Sequence, residues 1–161
     1  MSLPLGIDLG GTHLRLLLWK EGLIKKKLDS PFRKVGEGKV LLHQLYPSLP
    51  LPERPSQYVF QAVDQFLQEQ GISQVSSIGI SVAGRILQDE YFMGANTPPE
   101  FGELLSHGER GISITKGLKK AFPEARLCLE NDATATARFL ASYGAKLMKL
   151  DEKEVFYITL S

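Results

Sequence analysis

The stretch Leu5 to Trp19, LGIDLGGTHLRLLLW, leaves the chain few folds to choose from. Leu5, Ile7 and Leu9 alternate with Gly6, Asp8 and Gly10. Beyond the glycine pair, Leu14, Leu16 and Leu18 alternate with His13, Arg15 and Leu17. Such alternation on both sides of Gly10-Gly11 is the pattern of two strands joined by a tight turn. One face is aliphatic and belongs in a core. On the other, Asp8 sits near glycines, beside backbone that no side chain shields. Gly10, Gly11 and Thr12 then offer bare amides and a hydroxyl, which can converge on a phosphate. A carboxylate so close would repel phosphate unless a divalent cation stood between them. The stretch therefore reads as a site for a metal–nucleotide complex, or as a plain hairpin whose glycines supply positive φ.

A chain of 161 residues suffices for one domain with its own core. Its 43% hydrophobic and 23% charged content fits a soluble globular protein. A net charge of +1 leaves no footprint for nucleic acid or for an anionic membrane, so neither is expected as a partner. The apolar runs fall far short of a membrane span. The N-terminus leads straight into the first strand, and no signal peptide is expected. A lone cysteine, Cys128, excludes an internal disulfide and a cysteine-cluster metal site. It points to a reducing, cytoplasmic compartment. Lying in an apolar run, it reads as a buried small hydrophobe.

Leu23–Leu28 follows as a third strand, whose Lys25, Lys26 and Lys27 suit a solvated sheet edge. Ser30 to Ser56, with Pro31, Pro47, Pro50, Pro52 and Pro55, reads as a long connection with a short helix near Val40–Leu45. Tyr58, Ala62 and Phe66, and Val59, Val63 and Leu67, recur at helical spacing up to Gly71. Ser76–Ala83 is a strand with bulky Ile78, Ile80 and Val82 on one face and Gly79, Ser81 and Ala83 on the other. Small residues there mark close approach by backbone or ligand. Gly79 to Gly84 nearly spaces as a P-loop, but Arg85 replaces its lysine and no Ser or Thr follows. Arg85 to Phe92 suits a short hairpin. A helix over Ile114 to Phe122, a buried strand over Ala125–Leu129, a helix from Ala133 to about Gly144 and a last strand over Val155–Leu160 complete the order. The first strands predict an antiparallel meander, and the later alternation predicts parallel strands with crossover helices.

Three further polar foci fall at strand ends or loops. Glu130-Asn131-Asp132 lies where a strand becomes a helix, an edge at which α/β folds bind ligands. Asn131 or Asp132 could serve only as an N-cap. An ionised Asp132 could instead take a proton from an attacking hydroxyl, with Asn131 bonding a polyol. Ser81-Val82-Ala83-Gly84 ends another strand, and Asn96 precedes Thr97-Pro98 in a loop.

Taken together, GIDLGGT, GISVAG, the AN before a proline loop, END with its alanine-rich helix, and FYITLS resemble the N-terminal lobe of ROK-family sugar kinases. These belong to the actin–hexokinase–Hsp70 superfamily and include ATP-dependent glucokinases. The resemblance covers nearly the whole chain. It implies a ribonuclease-H-like α/β lobe with a mixed sheet, the antiparallel meander Leu5–Leu28 leading into parallel strands. It implies phosphoryl transfer from ATP to a hexose or amino-sugar hydroxyl. In that pattern Asp8 helps hold Mg2+, through water, and Gly10, Gly11 and Thr12 face the ATP phosphates. Gly84 lets backbone approach the sugar, Asn96 and Asn131 bind its hydroxyls, and Asp132 is the catalytic base. The resemblance is compatible with a homodimer of the intact protein. Departures from the pattern are Ala83 in place of the usual Pro, His13 where Lys is common, and the lack of a Glu near Leu140. A second lobe with the adenosine site is expected after Ser161, and residues 1–161 alone are expected to be inactive. No helix-turn-helix precedes Asp8, which points away from the repressor branch. The other readings are a non-catalytic sugar-sensing or protein-interaction module that keeps this lobe, and a kinase of the superfamily with another acceptor.

Overall fold

Alternating side chains decide the first strands, β1 (Leu3–Leu9), β2 (His13–Lys20) and β3 (Leu23–Pro31). The computed structural model describes residues 2–10, 13–20, 23–31, 42–87, 91–93 and 112–139. β1 runs antiparallel to β2 with Leu5 opposite Leu18 and Leu9 opposite Leu14. Leu3, Leu5, Ile7 and Leu9 share one buried face with Leu14, Leu16 and Leu18. Burying each such side chain fully stabilises by roughly 1.5–3 kcal/mol. β3 lies at the edge of the sheet, the place expected for a lysine-rich strand.

The five-stranded sheet has the order β3-β2-β1-β4-β8, where β4 is Val75–Val82 and β8 is Arg126–Asn131. β4 pairs parallel to β1 on one side and to β8 on the other. Three strands thus finish at the same sheet edge, with Leu9 beside Val82 and Val82 beside Asn131. The mixed sheet has the expected meander and parallel part.

A short helix α1 (Leu42–Leu45) and a 3-10 turn (Leu51–Glu53) lead into α2 (Arg54–Glu69). Pro55 is tolerated in the first turn of α2, where its missing N–H has no helical partner to lose. Val59, Val63, Phe66 and Leu67 form its apolar stripe and pack on the leucine face of the sheet. Gly71 closes the helix at φ +65°, a conformation cheap only for glycine, and Ile72 N donates to Leu67 O at 2.9 Å. β5 (Arg85–Leu87), β6 (Tyr91–Met93) and β7 (Ile112–Ser113) form a small antiparallel sheet after β4.

Three expectations change. The helix expected over Ile114–Phe122 is α3, Lys116–Ala121. Ile112 and Ser113 join β7 instead, and the buried Ile114 and Thr115 lie between. The strand expected at Ala125–Leu129 runs to Asn131, because the ladder with β4 continues through Ser81 opposite Glu130 and Val82 opposite Asn131. Cys128 is exposed, not buried. Leu127 and Leu129 take the core side of β8, so the residue between them faces outward. The last described element is α4, Asp132–Phe139. The strand expected at Val155–Leu160 lies outside the described residues.

α3 makes no cap with its own Thr115 side chain. Its Gly117 N–H donates to Ser56 Oγ on α2 at 2.8 Å. A Cβ on Gly117 would come within 3.1 Å of Phe60 Cβ and 3.3 Å of Ser56 O, so glycine lets the two helices meet. Ser56→Ala removes this borrowed cap. It should lower stability by about 1 kcal/mol, seen as a lower urea midpoint at unchanged slope.

Candidate functional site

The polar groups gather where β4 and β8 end. Gly84 adopts φ +152°, a region that side chains rarely tolerate, and turns the chain from β4 into β5. Asn131 Nδ2 donates to Gly84 O at 2.8 Å. Asn131 Oδ1 accepts from Ala133 N at 3.0 Å and from Thr134 N at 3.4 Å. Asn131 is therefore the cap of α4 and the clasp between β8 and the turn after β4. Asp132 opens α4 and is exposed. Its Oδ1 accepts from Ala133 N at 2.8 Å, and its Oδ2 has no partner among the described residues. Thr136 Oγ1 donates to Asp132 O at 2.9 Å, holding the first turn.

Across the outer face of the sheet runs a row of paired positions. Arg15 lies opposite Asp8, Asp8 beside Ser81, and Ser81 beside Glu130. Arg15 Nη1 donates to Asp8 Oδ2 at 2.9 Å. Both side chains are over a third exposed, 36% and 38%, so the pair adds at most about 1 kcal/mol. Its effect is on charge: Asp8 is held in place and partly neutralised. At the other end Arg138 Nη1 of α4 reaches Glu130 Oε1 at 3.0 Å, and Glu130 is only 17% exposed.

Beneath this row two glycines lie between Leu17 and Cys128. Gly6 lies beside Gly79 and Gly79 beside Cys128. Asp8, Ser81 and Glu130, with these glycines and Ala135 of α4, line a cavity of about 380 Å³. Asp8 and α4 therefore share one side of the sheet. Among the described residues no group of three or more His, Cys, Asp or Glu converges. A half-exposed Asp8 carboxylate next to bare backbone suits a Mg2+ that keeps most of its waters.

A second cavity, of about 560 Å³, opens at the corner itself, lined by Gly84, Arg85, Glu130, Asn131, Thr134 and Arg138 among others. Thr134 and Arg138 are four apart on α4 and so share a helix face. The structure thus brings Gly84, Asn131 and Asp132 together, with Asp8 two strands away on the same edge. Gly10 N donates to His13 O at 2.9 Å, so that amide closes the hairpin. Gly11, Thr12 and Asn96 lie outside the described residues.

The sequence pattern does not single out Arg15, Arg85 or Arg138 as site residues, and it places Glu130 in a polar focus without giving it a role. A turn centred on the Gly10-Gly11 pair, as the sequence reads, would set His13 opposite Asp8, whereas the ladder sets Arg15 there. Nothing in the sequence signals that Arg138 meets Glu130.

No family model and no curated protein matches the sequence. Solved structures do match. A ROK hexokinase from Thermus thermophilus superposes with a TM-score of 0.58 at 22% identity, over 88% of this chain and 38% of its own. A ROK family protein from Streptococcus pneumoniae TIGR4, in complex with sucrose, gives 0.53 at 21%, over 88% of this chain and 39% of its own. The chain has a sugar-kinase-like fold. A ROK family transcriptional regulator, a homologue of the E. coli MLC protein, matches at 0.55 and 15% identity, over 86% of this chain and 30% of its own. The chain spans about 38% to 39% of the length of the first two structures. The likeness is one of fold, a mixed sheet with the meander first and parallel strands after.

The corner makes a testable distinction between neighbours. Asn131→Asp keeps a capping oxygen for Ala133 N but replaces the Nδ2 donor with an acceptor facing Gly84 O. It should cost about 1–3 kcal/mol in a thermal or urea melt. Asp132→Asn keeps the shape at an exposed site and should change stability by about 0.5 kcal/mol or less.

Proposed function

We propose that the chain forms the sugar-binding lobe of an ATP-dependent sugar kinase, acting on a hexose or amino sugar. The observation that carries this is the corner, in which Gly84, Asn131 and Asp132 stand together at the carboxyl ends of parallel strands in a sugar-kinase-like fold. Asp132 is the proposed base. Ala133 N–H fixes one carboxylate oxygen, which aims the other. That oxygen takes the proton of the acceptor hydroxyl as its oxygen bonds to phosphorus and the bond to the ADP leaving group breaks. Gly84, lacking a side chain, lets the sugar approach backbone. Asn131, and Asn96, bond its hydroxyls. Asn131 does so with the second N–H that its clasp leaves over, since the amide nitrogen carries two.

Asp8 would hold Mg2+ through water, with Gly10, Gly11 and Thr12 next to the ATP phosphates. When bound, Mg–ATP supplies the transferable phosphoryl group and offsets its charge. Arg15 keeps Asp8 in its aimed position. The adenosine site and the second lobe belong, in this proposal, to the part of the protein beyond Ser161. A cytoplasmic location agrees with a chain that has a single cysteine. No described helix is long and apolar enough to cross a membrane.

A second reading has one observation in its favour. A ROK transcriptional regulator matches this fold as well as the enzymes do. A lobe that senses sugar without phosphorylating it would keep Asn131 and Gly84 but have no need of Asp132 as a base.

Steady-state kinetics of the intact protein test the proposal. Asp132→Asn should lower kcat by about 10²–10⁴, the usual worth of a general base, with KM for sugar changed far less. Asp8→Asn should instead raise the Mg2+ concentration needed for half-maximal rate. Near-normal kcat in Asp132→Asn would place the base elsewhere. Sugar binding by the intact protein without any ATP turnover would favour the sensing module.

A further inference from the structure

α2 closes one face of the five-stranded sheet, and its stripe of Val59, Val63, Phe66 and Leu67 lies on the leucines of β1 and β2. The strands β1, β4 and β8 pair parallel, and parallel strands are ordinarily layered on both faces. On the outer face, among the described residues, Ala135 of α4 shares a cavity with Gly6, Leu17 and Gly79. Much of that face is left uncovered by the described residues. A Cβ added to Gly79 would meet nothing within 4 Å, and Cys128 beside it is exposed. On β2, Leu17 and Trp19 alternate with the buried Leu16 and Leu18, so they point outward, and Trp19 is 40% exposed. Phe139, one turn beyond Ala135 on α4, is 53% exposed. Large apolar side chains gathered on one exposed face mark a docking surface.

The occupant follows from the course of α4. The helix starts at the carboxyl edge of the sheet, after Asn131, and Ala135 is already beside Gly6 and Gly79. It therefore runs back over the outer face toward the amino ends of β1 and β4. The described residues stop on that course, at Phe139. In the sequence that follows, Leu140, Tyr143, Leu147 and Leu150 recur at spacings of three, four and three, while Ala145 and Lys149 fall between. At roughly 100° per residue the first four share one side and the last two take the other. At helical rise, residues 140–150 reach about 15 Å. The strand from Gly79 back to Val75 runs about 13 Å, so the segment is long enough to cross the open part of the face.

We propose that residues 140–150 dock on the outer face of the sheet, with Leu140, Tyr143, Leu147 and Leu150 against Leu17, Trp19 and the space over Gly79. Gly6 and Gly79 let the segment approach the backbone of β1 and β4, since neither raises a side chain there. The tether through α4 favours this segment over a free partner, because a short linker holds it at an effective concentration on the order of millimolar. Asp8, near the carboxyl edge where α4 begins, stays outside the covered part.

The chain carries two probes of its own, because Cys128 is its only cysteine and Trp19 its only tryptophan, on strands at opposite sides of the face. Mild oxidation of the dilute chain should join Cys128 to one or more of Leu140→Cys, Tyr143→Cys, Leu147→Cys and Leu150→Cys. The intramolecular disulfide is read as a faster band on a non-reducing gel. Ala145→Cys and Lys149→Cys, on the other side of the segment, should form far less of it. In the unchanged chain Trp19 should emit as a shielded indole and Cys128 should label slowly with a thiol-reactive dye. Tyr143→Asp with Leu147→Asp should move the Trp19 emission to longer wavelength and speed the labelling about tenfold or more, because the cover then opens readily. Disulfide formation at none of the six positions, or at all six alike, would overturn the proposal. Trp19 and Cys128 open to solvent in the unchanged chain would overturn it too. Protection that appears only as protein concentration rises would also overturn it, showing a second copy on the face instead.

Discussion

The structure depends on β1 being central. It has an antiparallel partner on one side and a parallel one on the other, so it must satisfy two ladders with one run of backbone. Its buried face is continuous leucine and isoleucine, which ties β2, β4 and α2 into one core. Its other face carries only Pro4, Gly6 and Asp8. A strand anchored so firmly on one side can leave the other open. The glycine floor formed by Gly6 and Gly79, with Asp8 at its end, exists because the leucines opposite supply the burial that this face gives up.

Parallel pairing carries that openness to the site. In phase, β1, β4 and β8 place Asp8, Ser81 and Glu130 side by side and end together. Chain ends that stop at one edge bring their following turns together as well. Gly84 and Asn131 become neighbours for this reason, and one amide then does two structural tasks. The charges along the row alternate between basic ends and acidic interior, Arg15, Asp8, Glu130 and Arg138. The face therefore carries oriented charge without a large net field.

Much of this was legible from local pattern. Alternation fixed β1, β2 and β4, and helical spacing fixed α2, because those signals come from residues a few positions apart. Gly71 and Gly84 announced a helix end and a strand end. The misread parts have another origin. β8 runs on through Glu130 and Asn131 because β4 offers them partners, and no local propensity of Glu-Asn reveals a ladder. Ile114 stands at helical spacing from Leu118 and so reads as part of the helix, but it lies just before the helix starts. Cys128 shared an apolar run with the core yet faces out, since the sheet decides which parity is inside. The Arg138–Glu130 pair and the cap that Ser56 lends to Gly117 link separate elements, and such links follow only from the assembled fold.

The clasp between Asn131 and Gly84 joins residues 47 positions apart. The hairpin of β1 and β2 closes a loop of a few residues, but this corner requires long segments to be ordered first, at a larger entropic cost. It has no local fragment that could hold its shape alone. Its stability is therefore borrowed from the sheet, and any opening that releases β8 dismantles it. A small molecule held there binds only the closed form, and by mass action it shifts the opening equilibrium toward closure. Occupancy of the corner and cohesion of the last parallel strand are thus two readings of one equilibrium.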